Sequence, residues 1–242
     1  MGLFDFFGGG TPADKAAKLK AKATQKYGDP LTRQKALDQL AQLKSPEAVT
    51  VLLQRFTFNV EPQTTDAQEK DDVFEAIVGM GDEAIPPVKE FLFRSEQATS
   101  WAIKILDALV PAEQRLDITC ELLAKLGTTY TRDPEKKSVV VQSVEGKSDP
   151  RLGPLLVPFL EDDSDDVKIA TLRALGALKL EAAREPILKL LTGDDTAKRV
   201  QTAAIAAVVE SAFTVQGYRE KVEARLSDPW FLDKAGAIKK RG

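Results

Sequence analysis

Histidine is absent from the 242 residues, cysteine occurs once and methionine twice, and no stretch approaches the roughly 20 apolar residues of a membrane-spanning helix. Each absence excludes some chemistry. Without histidine there is no Ser-His-Asp or Cys-His nucleophile system, no imidazole-ligated metal and no side chain that ordinarily titrates near neutrality. The single Cys120 excludes an intramolecular disulfide framework and any zinc site built from several thiolates. Leu116, Cys120 and Leu123 stand at i, i+4 and i+7, which predicts a small packed hydrophobe on a helix rather than a reactive thiol. These gaps predict a chain with no catalytic residues, no metal and no cofactor, and therefore no enzyme. The N-terminus has no basic stretch followed by a long apolar run, and Phe6 stands where an N-myristoylation pattern wants Ser or Thr. The expected compartment is the cytoplasm.

What is present is ordinary for a soluble protein with a core, at 43% hydrophobic and 29% charged. The formal net charge of −3 argues against a dedicated nucleic-acid binder, which carries a strongly basic face. That sum conceals an asymmetry, because residues 1–60 carry a net +4 and residues 61–100 a net −7. Any steering field is local.

The chain opens on Leu3, Phe4, Phe6 and Phe7, tethered through Gly8, Gly9 and Gly10. This apolar segment, residues 1–11, has two readings. It covers an open end of the fold or lacks order, or it anchors the chain in a partner groove or a membrane interface. Lys15, Lys18, Lys22 and Lys26 follow as one basic stripe of a helix over 12–27, beside an apolar stripe of Ala16, Leu19, Ala23 and Tyr27. About 1 kcal/mol per lysine near an anionic surface supports weak, reversible membrane contact.

A capping oxygen precedes proline at Thr11-Pro12, Asp29-Pro30, Ser45-Pro46, Asp133-Pro134, Asp149-Pro150 and Asp228-Pro229, which suits N-cap and N1 of new helices. Asp14 and Glu47 add an acid to the first turn, and Gly28, Gly81, Gly127 and Gly146 stand where helices should stop. These signals predict six antiparallel helix pairs: 30–43 with 46–58, 67–80 with 82–93, 96–110 with 112–126, 134–146 with 150–160, 165–178 with 180–191, and 195–212 with 215–226. A helix over 12–27 caps one end. A short helix from Pro229, bearing Trp230, Phe231 and Leu232, caps the other, and residues 12–242 form a single domain. Val139, Val140 and Val141 lower helix propensity in the fourth pair.

The clearest repeat runs from Val167 to Leu191, as Val-Lys-Ile-Ala-Thr-Leu-Arg-Ala-Leu-Gly followed by Ala-Arg-Glu-Pro-Ile-Leu-Lys-Leu-Leu. This resembles a HEAT repeat of the short, bilin-lyase-type kind, in which a V-[RK]-x-x-A-x-x-A-L-G helix precedes an A-x-x-x-L-x-x-L-L helix. The resemblance extends to Asp29–Phe56, Ala67–Phe93 and Lys198–Leu226, and the expectation is a bacterial protein of that type. It implies an all-α fold, an α-solenoid whose second helices line a concave, partner-gripping surface, and a function as scaffold or adaptor for a protein partner. Carried over, Lys89, Glu90, Lys125, Arg184, Lys189 and Arg225 are the expected lining. HEAT-like DNA glycosylases share the scaffold but look for a basic channel with aromatic residues and an Asp. Here Trp101 and Trp230 are far apart in sequence and the net charge has the wrong sign. Nothing beyond the repeat pattern points to a bilin lyase.

Two stretches interrupt the regularity. Residues 57–70, with Phe58, Val60 and Pro62, read as a long surface loop able to contact partners. Residues 127–133 read as a polar link. The acidic run Glu161–Asp166 has no glycine at the sixth position and Arg173 where a calcium loop needs a bidentate Glu, so its expected role is to cap and charge the following helix. Gly8–Gly10 lacks the following Lys-Ser/Thr of a phosphate loop.

Overall fold

The computed structural model describes residues 10–127, 129–131 and 133–241. Its contacts divide the chain into two compact units, residues 1–115 and 116–242. Leu3, Phe4, Phe6 and Phe7 lie outside the described residues.

In the first unit the Thr-Pro, Asp-Pro and Ser-Pro signals act as expected. Thr11 caps α1 (Pro12–Ala23) with a reciprocal bond to Asp14, Asp29 caps α2 (Pro30–Leu43), and Ser45 caps α3 (Pro46–Leu52). A 3₁₀ segment, Leu53–Thr57, prolongs α3, and α4 (Gln63–Val78), α5 (Ile85–Arg94) and α6 (Thr99–Leu109) follow. The next helix, α7 (Ala112–Leu126), carries the boundary between the units. Each first helix packs on the next, α2 on α4 and α4 on α6, and the second helices do the same, α3 on α5. Short helices are marginal alone in water, so burial between pairs supplies their stability. Leu40, Leu52, Ile77, Val88 and Ile105 are fully buried there. The α1 helix packs on both α2 and α3, as the expected end cap does.

The second unit repeats the plan with α8 (Glu135–Gln142), α9 (Leu152–Leu156) running into the 3₁₀ segment Val157–Glu161, α10 (Asp165–Leu178), α11 (Arg184–Thr192), α12 (Lys198–Glu210) and α13 (Arg219–Glu223). First helices form one layer, α8 on α10 on α12, and the 3₁₀ segment, α11 and α13 form the other. Val140 and Val141 are fully buried, so tertiary packing overrides the low helix propensity of the valine run.

Four expectations are corrected. Helix α1 ends at Ala23, so Lys26 falls past its end and Tyr27 is 90% exposed rather than part of an apolar stripe. Helix α4 begins at Gln63, which shortens the 57–70 connector. The second helix of the last pair shrinks to α13, because Val215 N–H donates to Gly236 O at 2.8 Å and Thr214 bridges Ala237, holding this stretch extended. The helix expected from Pro229 is instead a hairpin of β1 (Trp230–Leu232) and β2 (Ile238–Lys240). Its apolar ends flank Asp-Lys-Ala-Gly, a turn in which Gly236 takes φ +83° and Asp233 accepts from Ala237 N–H. The hairpin packs on α12 through β2, and the buried contribution comes from Ile238, with Trp230, Phe231 and Leu232 half-buried.

Candidate protein-interaction face

The layer of second helices is the face on which the lining residues were expected. In the first unit α3 and α5 enclose a groove of about 370 Å³. Buried Pro87 and half-buried Phe91 form its apolar floor, and Thr50, Gln54, Glu90 and Arg94 its polar rim. Glu90 is exposed and pairs with Arg94 at 2.9 Å, one turn along α5. The Lys89 ammonium lies 5.6 Å from the Phe93 ring. Lys125 is exposed on α7.

In the second unit the expected residues have different roles. Arg184 donates from Nε to Thr214 O at 2.8 Å and from Nη2 to Gln216 O at 2.7 Å, so it fastens α11 to the loop before α13. Arg225 binds Asp194 across one repeat. Lys189 remains exposed on α11 beside Glu185. None of the six expected lining residues is buried, and Arg184 and Arg225 also bond to a neighbouring repeat. Thr50, Gln54, Phe91 and Arg94 were missed, because only the adjacency of α3 and α5 brings them into one groove.

The 57–70 stretch is not the surface loop expected. Its acids answer two arginines buried inside the first unit. Arg33 donates to both Glu69 oxygens, and Arg55 donates to Glu69 at 2.7 Å and to Asp66 at 2.7 Å. Lys70 Nζ adds bonds to Asp66 and Asn59. Burial raises the carboxyl pKa of Glu69, but the hydrogen bonds from Arg33 and Arg55 outweigh it and hold that pKa below the ordinary range. Asp66 is held low in the same way, burial being outweighed by Lys70, Arg55 and Val60 N–H.

The acidic run charges the first turn of α10 through Asp165 and Asp166, but no side chain of the run caps that helix, which corrects the expected capping role. Asp165 and Asp166 pair with Arg199 on α12 at 3.0 and 2.6 Å, and Asp162 receives the buried Lys137 Nζ at 2.5 Å. Lys137, Asp162, Glu161 and Tyr130 line a notch of about 280 Å³, whose first wall is the link to which the sequence attached no chemistry. Cys120 is half-buried, and burial pushes its thiol pKa up, which disfavours the nucleophilic thiolate. Among the described residues no group of three or more Cys, Asp or Glu side chains is placed to hold a metal ion, and no helix is long and apolar enough to cross a membrane.

Two layers of helices, each packed on the helix one repeat away, define an all-α solenoid. Residues 120–209 match the family of HEAT repeats, so this part of the chain carries HEAT repeats. A search of curated proteins finds no match. Human deoxyhypusine hydroxylase in complex with glycerol is a similar solved structure, at 15% identity over 88% of this chain and 95% of that one, with a TM-score of 0.37. That similar protein is an enzyme, and this corrects the expectation that a chain of this composition is none. The likeness assigns no activity to the present chain.

Proposed function

We propose that this protein is an adaptor that binds a protein partner through its second-helix face, with the α3–α5 groove as the anchoring point. The supporting observation is the make-up of that groove, an apolar floor at Pro87 and Phe91 inside a rim of Thr50, Gln54, Glu90 and Arg94. An apolar centre with a polar, hydrated rim is the anatomy of protein interfaces. The test is site-specific photo-crosslinking in the native lysate, with the probe at Gln54 or Glu90 and, as controls on first helices, at Asp38 or Asp72. A partner captured from the groove positions and not from the controls supports the reading. Capture from the controls alone, or equally from all four, overturns it.

A further inference from the structure

A second groove, of about 490 Å³, lies between the first turns of α1 and the last turns of α2, lined by Lys15, Lys18, Leu19, Gln39, Gln42 and Leu43. Leu19 of α1 and Leu43 of α2 are half-buried, so both leave apolar surface in this groove. We propose that this groove is filled in cis by the chain's own Leu3–Phe7 segment, an inference independent of the adaptor reading.

Three observations select that occupant over others. The first is position: at 1.5 Å rise per residue, Lys15 to Leu19 lie only about 5–11 Å along the axis from the start of α1, so the chain enters α1 beside the groove. Residues 3–9, extended, span up to ~25 Å, enough to double back along it. The second is sequence. Gly8, Gly9 and Gly10 can take the backbone angles of a tight reversal, and Leu3, Phe4, Phe6 and Phe7 supply the apolar surface that Leu19 and Leu43 lack. The third is charge. The segment's one ionised side chain, Asp5, meets a groove whose lip carries Lys15 and Lys18 and no acid. A neighbour already tethered at the groove's edge has a high effective concentration there, which favours it over a separate molecule.

The test uses the full chain with Cys120→Ser and a nitroxide on Gly2→Cys, read on the methyl signals of Leu19 and Leu43. Docking in cis removes most of the intensity of both signals, unchanged on dilution, and replacing Phe4, Phe6 and Phe7 by serine restores it. Signals that keep their intensity in the free chain overturn the proposal, and flotation of that chain with phosphatidylcholine/phosphatidylserine vesicles would then identify a membrane as the segment's target. Intensity lost in a mixture of nitroxide-bearing and isotope-enriched copies, but not within one copy, overturns it in favour of a second chain.

Discussion

The Arg33 guanidinium grips Glu69 with Nε at 2.8 Å and Nη2 at 2.8 Å, thirty-six residues away and almost wholly shielded from water. Arg55 shares the same carboxylate, so one acid pairs with two buried cations, and Asp66, on the remaining arm of Arg55, supplies the second negative charge. Arg33 also donates to Gln25 O and Arg55 to Phe58 O. The network thereby ties the α1–α2 turn, the end of α3 and the start of α4 into one unit.

Removing the shared acid should therefore cost far more than its side chain's size suggests. Glu69→Ala leaves the Arg33 guanidinium buried without a counter-charge and Arg55 with Asp66 alone, and breaking such a buried pair costs about 3–5 kcal/mol. Urea denaturation of the variant should show a loss in that range. A loss under about 1 kcal/mol would mean that water or Asp66 neutralises both arginines.

The same carboxylates set an acid limit on stability. Glu69 and Asp66 have pKa values below ordinary in the folded chain, so the stabilisation they give is complete above their unfolded values of about 4 and is lost as pH falls toward the folded ones. Unfolding followed from pH 6 to pH 3 should show stability falling below about pH 4. Glu69→Gln should flatten that fall, leaving a weaker but less acid-sensitive protein.

How much of this was legible in the sequence depends on the range of each interaction. Val167, Leu172, Leu175, Ile187 and Leu188 announce α10 and α11 because helix periodicity is local, and all five are fully buried. Thr11, Asp29 and Ser45 announce helix starts because a cap reaches only two or three residues ahead. Arg33, Arg55 and Glu69 were illegible. Polar patterning assigns charges to solvent, and their partners lie 14 to 36 residues apart. The hairpin at Trp230–Lys240 was misread because the Asp-Pro signal that starts a helix elsewhere is followed here by a strand, a turn and a strand. Helix membership of the face candidates is local and legible, whereas the bond from Arg184 to Thr214 O spans thirty residues and is not.

Core leucines at equivalent depth should be interchangeable in cost. Leu172 and Leu188 are both fully buried, one in each helix layer, and truncation of either to alanine should destabilise by about 2–5 kcal/mol. Val209→Ala, at a position 38% exposed, should stay within about 0.5 kcal/mol of the parent. Thermal melts of the three variants test this, and equal shifts in all three would contradict the layer assignment.

Gly176 is a point of close approach between α10 and α12. A Cβ built there meets Ala207 Cα at 3.1 Å and Glu210 Oε2 at 3.1 Å, and Ser211 Oγ donates to Gly176 O across the same contact. Gly176→Val should push the helices apart and cost about 1–3 kcal/mol through overpacking. Amide exchange should quicken in α10 and α12 together. Quickening in α10 alone would indicate a local propensity effect instead.

Polar pairs join consecutive repeats of the second unit in both helix layers, and their contribution should be sensitive to salt. Arg151 reaches Asp117 from 34 residues on, Arg199 reaches Asp165 across the same interval, and Tyr218 reaches Glu185 across 33. The Arg199 pKa is raised, first by the hydrogen bond to Asp165 and also by Asp166, with desolvation opposing it. Exposed pairs of this kind are screened within roughly a 10 Å Debye length at 0.1 M salt. Arg199→Ala should accordingly lower the melting temperature in dilute buffer, and the gap to the parent should narrow as sodium chloride rises. A gap that holds constant with salt would show that Arg199 acts by packing its methylene stem on α12 rather than by charge, because only the Coulomb part of the contact is open to screening.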